Sequence, residues 1–258
     1  MLLRKESAEG ISQIELRRLK RKRKKTRKKI LLSLMLILMI CIGILFTPVF
    51  NLKEIEINGN SKIKAKELID KSGFVMGENI FKFKLNVGGE NIASIPYVNS
   101  VIISRKLPGK IEITITESIP TAYVPYNDTM IVVDKEGKAL ELKNAETDYK
   151  IPILYDFNLT QFALGKKINI KDEEKLKKTL EITKHLYNNN LIDKIRSINS
   201  QNDVYYLNIN EILRASVGDG ENLNAKLIML NEVLLKLPSD ASGIIDVRDP
   251  DRVYHRSE

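Results

Sequence analysis

The chain reads as α+β. One N-terminal transmembrane helix is followed by a compact β-α-α-β-β unit and then by a second, mixed α+β domain with a mainly antiparallel sheet. Three observations predict this. A dense basic block runs directly into an uncharged apolar stretch, "RRLKRKRKKTRKKILLSLMLILMICIGILFTPVF" (Arg17–Phe50). Strict alternation in "KIEITITE" marks a strand with one buried face. Two later stretches carry apolar residues at helical spacing. The expected divisions are a basic tail over 1–29, a span over 30–50, the compact unit over 51–120 and the second domain over 121–258.

The basic block comes first. Residues 1–29 hold 13 Lys+Arg and 3 Glu, leaving 29 basic and 30 acidic residues of the chain's 42 and 33 for everything after Lys29. The chain's net charge of +9 is therefore a property of the tail. A nucleic-acid-binding domain carries its positive charge on a folded face, and no nucleic-acid partner is expected here. From Ile30 to Leu52 there is no charged residue. As a helix, Ile30–Phe50 would be about 31 Å long, matching a hydrocarbon core of about 30 Å. Pro48 ends such a helix or sits in its last turn. A basic flank before the span places the N-terminus in the cytoplasm and residues 51–258 outside. A cleaved secretory signal is the weaker alternative, because its apolar region is usually about 7–15 residues and no A-x-A-like site follows Phe46. Arg17, Arg18, Lys20, Arg21, Lys22, Arg23, Lys24, Lys25, Arg27, Lys28 and Lys29 are thus candidate topology and lipid-contact residues. The only cysteine, Cys41, lies inside the span, so the exported part has no disulfide framework.

The compact unit opens with Ile55 and Ile57 alternating with Glu54 and Glu56, a half-buried strand. Asn58-Gly59-Asn60 is a turn signal. Ile63–Lys71 reads as a short helix with Gly73 just past its end, and Glu90–Ile95 as a second, stopped by Pro96. Val98–Lys106 is rich in β-branched residues. Pro108-Gly109 suits a tight turn, and Ile111, Ile113 and Ile115 then share one face. The glycines of "NVGGE" and "VGDGE" read as turns, since neither stretch has the further residues of a phosphate loop.

The second domain carries strand signals at Met130–Val133, Lys138–Leu142, Ile192–Ser200, Val204–Ile209 and Ile212–Val217. A helix over Asp172–Asn189 has Asp172 as N-cap and Glu173-Glu174 in its first turn, with Leu176, Leu180, Thr183 and Tyr187 on one face. A helix over Glu221–Leu237 aligns Leu223, Leu227, Leu230, Leu234 and Leu237. Both patterns are too short for a coiled coil and fit helices packed on a sheet. The chain closes with "GIIDVRDPDRVYH", which reads as a strand, an Asp249-Pro250 turn and a terminal strand.

The stretches "EIEINGN", "SGFVMGENIF", "IPYVNSVIISRKLPGKIEITITE" and "SIPTAYV" stand in the order of a POTRA domain of the bacterial FtsQ/DivIB cell-division family. The resemblance continues through "VVDKEGKAL", "VGDGENLNAKL" and "GIIDVRDPDRV", covering essentially all of the chain after Leu52. It implies a POTRA domain over 51–120 and a C-terminal β-rich domain over 121–258. It further implies a non-enzymatic division scaffold, located at the septum, that binds FtsB/DivIC-type and FtsL-type bitopic proteins. Through these partners it would act indirectly on the septal peptidoglycan synthase. Docking in the family is near the last strand, by strand addition to a sheet edge. The match places Arg248 where it would pair with a partner's acidic side chain. Asp249 stands where the family often has an aromatic residue, so that contact is either absent or supplied by Tyr254. Arg252, Val253, Tyr254 and His255 fall on the docking edge.

The search for chemistry points the same way. The two histidines, His185 and His255, have no ligand-spaced partners, so no metal or cofactor is expected. Asp246, Asp249 and Asp251 lack the calcium-loop pattern and interleave with Arg248 and Arg252, which favours a charged turn. Nucleophile elbows and phosphate loops are missing. The alternative function is a membrane-anchored exported cell-wall enzyme or its accessory. An outer-membrane translocator would need a β-barrel that this chain cannot contain.

Overall fold

The computed structural model describes residues 2–145, 149–155, 157, 159–238 and 240–257, with side-chain environments from residue 24 onward, Thr160 excepted. The fold is α+β, as the sequence predicts. Its first element, α1 (Leu2–Leu45), is a single helix that carries the basic block and the apolar run together. Within it the candidate span Lys24–Leu45 contains an 18-residue window with a mean hydropathy of 2.4 and none of it buried, the one helix among the described residues long and apolar enough to cross a membrane. The helix stops at Leu45, not Phe50. Thr47 is forced into an extended backbone (φ −75°, ψ 157°) by the proline that follows it, and Pro48 then opens a 3-10 turn over Pro48–Phe50.

The next elements are β1 (Glu54–Asn58), α2 (Ala65–Ser72), a 3-10 turn at Ile80–Lys82, α3 (Leu85–Ala93), β2 (Val98–Lys106) and β3 (Lys110–Glu117). The sheet order is β1-β3-β2. Ile111, Ile113 and Ile115 are at most 3 % exposed, so the period-2 reading of β3 holds. Each such side chain contributes about 1.5–3 kcal/mol relative to leaving it in water. One expectation is corrected. "NVGGE" is not a turn but the body of α3, which starts five residues before the predicted helix. Two helical glycines cost about 1 kcal/mol each. Burial of Gly88 and of Ile92 on this helix, which packs on α2, offsets that cost.

The remaining elements are β4 (Pro120–Tyr126), β5 (Thr129–Asp134), β6 (Ala139–Asn144), β7 (Ile153–Leu154), β8 (Leu159–Gln161), β9 (Asn169–Ile170), α4 (Glu173–Asn188), β10 (Ser197–Gln201), β11 (Val204–Asn208), β12 (Leu213–Gly218), α5 (Leu223–Lys236), β13 (Gly243–Asp246) and β14 (Tyr254–Arg256). β8 and β9 pair with each other. All the other strands form one nine-stranded sheet, ordered β14-β13-β12-β11-β10-β7-β4-β5-β6. It is antiparallel except at β12–β13, β10–β7 and β7–β4. No strand is expected from the sequence at β4 or at the two-residue β7, which joins the two halves of the sheet. α4 and α5 cover one face of the sheet, burying Leu180, Leu186, Leu227 and Leu230 against Val124, Ile131, Leu207 and Ile245. The side chain of Asp172 caps α4 as expected, accepting the Lys175 N–H at 2.9 Å. The α4 stripe differs in one position, because Tyr187 faces solvent and Leu186 takes the core place.

The chain divides into two compact units. One comprises Met1–Glu56, Phe74–Lys84 and Ser104–Glu112, and the other Ile57–Gly73, Leu85–Ile103 and Ile113–Glu258. In the first unit the backbone after α1 is stitched to the Phe74–Lys84 segment. The Leu52 N–H donates to Glu78 O and the Gly77 N–H donates to Leu52 O, both at 2.8 Å. In the second, the Lys62 ammonium lies 3.7 Å from the Tyr97 ring centroid and 3.6 Å from Glu141 of β6. Burial, reinforced by Glu141, holds the Tyr97 phenol well above its ordinary range.

Candidate partner-binding edge

A three-residue strand at the end of a chain needs a reason to stay on a sheet. β14 pairs antiparallel with β13, setting Ile244 against Arg256, Ile245 against His255 and Asp246 against Tyr254. Residues opposite one another share a face. Ile245 is fully buried beneath the helices, so His255 leans to that side, and its Nε2 lies 2.9 Å from Ser242 O. Tyr254 and Arg256 lie on the opposite, open face. Close backbone approach is possible because residue 243 is glycine. Its φ is +103°, and a Cβ there would lie 1.9 Å from Arg256 O.

The connection from β13 to β14 is a set of short polar turns. The Val247 N–H donates to Ser216 O at 3.0 Å, extending the parallel pairing with β12. Asp249 Oδ1 accepts the Asp251 N–H at 3.0 Å, and Asp249 O accepts the Arg252 N–H at 3.1 Å. The Val253 side chain packs against the core and anchors the chain as it enters β14.

Arg248 is held from within. Its Nε donates to Asp246 Oδ1 at 2.9 Å and its Nη2 to Oδ2 at 2.6 Å, a two-point grip. The Arg248 hydrogen bonds hold the Asp246 carboxyl below the usual range against partial burial, and Asp246 raises Arg248 in return. Gly218 leaves room for this arginine, since its missing Cβ would sit 3.2 Å from Arg248 Cγ. The Arg248 side chain remains more than half exposed despite the grip.

The predicted site residues therefore fall into three places. Arg248, Tyr254 and His255 are on or beside the edge strand and exposed. Asp249 and Arg252 belong to the turn, and Val253 is mostly a packing residue. The basic residues from Arg17 to Lys29 all lie in α1. Sequence reasoning missed Asp246 as the partner of Arg248. The available signal was an acid two residues before an arginine at a strand end. Among the described residues no three His, Cys, Asp or Glu side chains gather to hold a metal.

The sheet has two edges, and they differ. β6 is covered along its first residues. The Ala139 N–H donates to Lys166 O at 2.9 Å, the Gly165 N–H donates to Ala139 O at 2.7 Å, and Lys138 bridges to Lys167. β14 has no strand beyond it among the described residues, and its three side chains are exposed.

Comparison with known proteins adds the following. The family described as POTRA domain, FtsQ-type, matches residues 50–118. A cell division protein DivIB of Clostridium tetani (strain Massachusetts / E88) is 31 % identical over 208 residues, 76 % of each chain. The DivIB of Clostridium acetobutylicum is 29 % identical over 217 residues, 81 % of this chain and 84 % of that one. A cell division protein FtsQ of Corynebacterium glutamicum is 34 % identical over 95 residues, 37 % of this chain and 43 % of that one.

Proposed function

The chain belongs to the FtsQ/DivIB family of cell division proteins, and from that premise we propose that it is a non-enzymatic scaffold of the division machinery. In this reading it crosses the membrane once, with residues 1–29 in the cytoplasm and the parts after the span outside, at the septum. Its outer part is divided into a POTRA domain over 51–120 and a partner-binding domain over 121–258. The basic block before the span supports that orientation, and Arg17–Lys29 contact anionic headgroups.

The scaffold binds FtsB/DivIC-type and FtsL-type bitopic proteins and through them helps control septal peptidoglycan synthesis. One observation carries the docking site: of the two edges of the nine-stranded sheet, β6 is covered over its first residues, and no strand among the described residues lies beyond β14. An added strand would take hydrogen bonds from the outer side of Tyr254–Arg256. Arg248, on the neighbouring turn, would meet an acidic side chain of that strand.

Amide hydrogen exchange tests this. The full chain in detergent micelles, mixed with an FtsB/DivIC-type partner, should gain protection at residues 253–257. Protection confined to other segments, with 253–257 unchanged in a formed complex, would remove β14 as the docking edge.

A further inference from the structure

The helical part of the apolar run is too short for its task. Ile30–Leu45 contains sixteen residues and spans about 24 Å, some 6 Å less than a hydrocarbon core of about 30 Å. Surface beyond Leu45 can cover the difference, alongside thinning of the bilayer and snorkelling of the flanking Lys28 and Lys29. The compact unit that contains α1 offers the missing surface. Asn79 is buried and donates through Nδ2 to Leu45 O at 2.8 Å, so it ties the Phe74–Lys84 segment to the last turn of the span. Phe81 packs on Phe50 with ring centroids 5.5 Å apart. Gly109, in the β2–β3 turn, accepts the Lys53 N–H at 2.7 Å and so brings that turn to the same stretch.

These ties hold a cluster of exposed apolar side chains beside the end of the span. Phe46, Val49, Val75, Met76, Phe81 and Leu107 are each between 40 and 70 % exposed. Three separate segments supply them, and the hydrogen bonds at Leu45, Leu52 and Lys53 gather these segments around one backbone. Lys82 and Lys84 follow directly and have the length to reach headgroups while their stems lie on apolar surface. A soluble surface has no use for such a cluster at the point where the chain leaves a membrane.

We propose that this cluster is an interfacial collar. The segments around Val75–Phe81 and Leu107 insert into the outer headgroup–acyl boundary and complete the hydrophobic thickness that α1 leaves short. Apolar elements of this kind reach about 5–10 Å into that boundary, which matches the deficit. The occupant is the lipid surface, argued from continuity with the span itself. The collar rests on the reading of α1 as a membrane span.

The chain has no tryptophan, so single-tryptophan variants report without background. The full chain would be reconstituted into phosphatidylcholine/phosphatidylglycerol vesicles with brominated acyl chains. Leu38→Trp tests the span, Met76→Trp and Leu107→Trp the collar, and Ile228→Trp, an exposed site on α5, serves as the aqueous control. All four positions are exposed, which keeps the fold intact. Met76→Trp and Leu107→Trp should emit at shorter wavelength than Ile228→Trp and be quenched several-fold more strongly, with bromine near the headgroup more effective than bromine near the chain end. A quenched Leu38→Trp beside collar sites that match the control would overturn the collar and leave the span. An unquenched Leu38→Trp would remove both. Shielding of Met76→Trp only after a protein partner is added would assign the patch to that protein and likewise overturn the proposal.

Discussion

Glu117, the last residue of β3, accepts three backbone N–H groups, from Ser61 at 2.8 Å, Lys62 at 2.9 Å and Ile63 at 2.9 Å. Partial burial alone would raise its carboxyl, but these donors hold it below the ordinary value. It thereby fixes the loop that leads into α2. Glu117→Ala leaves these donors to water and should cost about 1–2 kcal/mol, given partial solvent screening. Because the folded value is lowered, this contribution is complete above the ordinary Glu value of about 4.3 and is lost as pH falls through the folded value. Melting curves of wild type and Glu117→Ala should thus converge in acid and separate at neutral pH. Arg248 follows the same logic through Asp246, whose lowered carboxyl makes the pair's contribution vanish only below about pH 3.9. Arg248→Glu sets two carboxylates side by side. At this half-exposed site it should cost about 1 kcal/mol or less of stability. If Arg248 also pairs with an acid that is buried on docking, the same change should weaken partner capture by about 30-fold or more. A large loss of melting temperature with unchanged capture would make Arg248 a structural residue only.

At the scale of elements, β14 is a three-residue strand with no strand beyond it among the described residues. Its attachment depends on Gly243, where any side chain would collide with the Arg256 carbonyl. Gly243→Ala should push β14 off β13 while the core beneath α4 and α5 persists, since none of that core lies in β14. The expected outcome is near-native circular dichroism, faster amide exchange at residues 254–256 and weakened capture of the partner. Capture at wild-type strength with β14 displaced would show that the strand is not the docking edge.

For the whole molecule, the proposed orientation rests on the separation of charge from fold. All of the net positive charge lies before Ile30, in the same helix as the apolar run. A reporter active only outside the cytoplasm should work when fused after Arg256 and fail when fused before Ile30. The reverse pattern would defeat the orientation. Scrambling the basic residues of Arg17–Lys29 while keeping their number should leave insertion unchanged, because the orienting term depends on positive charge and not on order. Loss of function with insertion intact would point to a sequence-specific partner in the cytoplasm.

Sequence alone determined what is periodic or charged. The apolar run, the alternating isoleucines of β3, the Asp172-capped helix and the closing strand–turn–strand were all legible, because their signals repeat every 2 or 3.6 residues or sit at a single cap. Even the early end of α1 was written locally, in Pro48. The tertiary structure decided the rest. Gly88 and Gly89 form a helix because packing offsets their poor propensity, which no local pattern records. The strands β4 and β7 exist as partners in a long sheet, and the two-residue β7 has no period to read. Which edge of that sheet is covered depends on the loop at 165–167, more than twenty residues from the strand it covers. Asp246 was visible as one of three acids, but only the fold shows that it grips Arg248. Periodicity and charge are properties of neighbours along the chain; strand order, edge cover and side-chain partners arise from contacts between residues far apart in sequence.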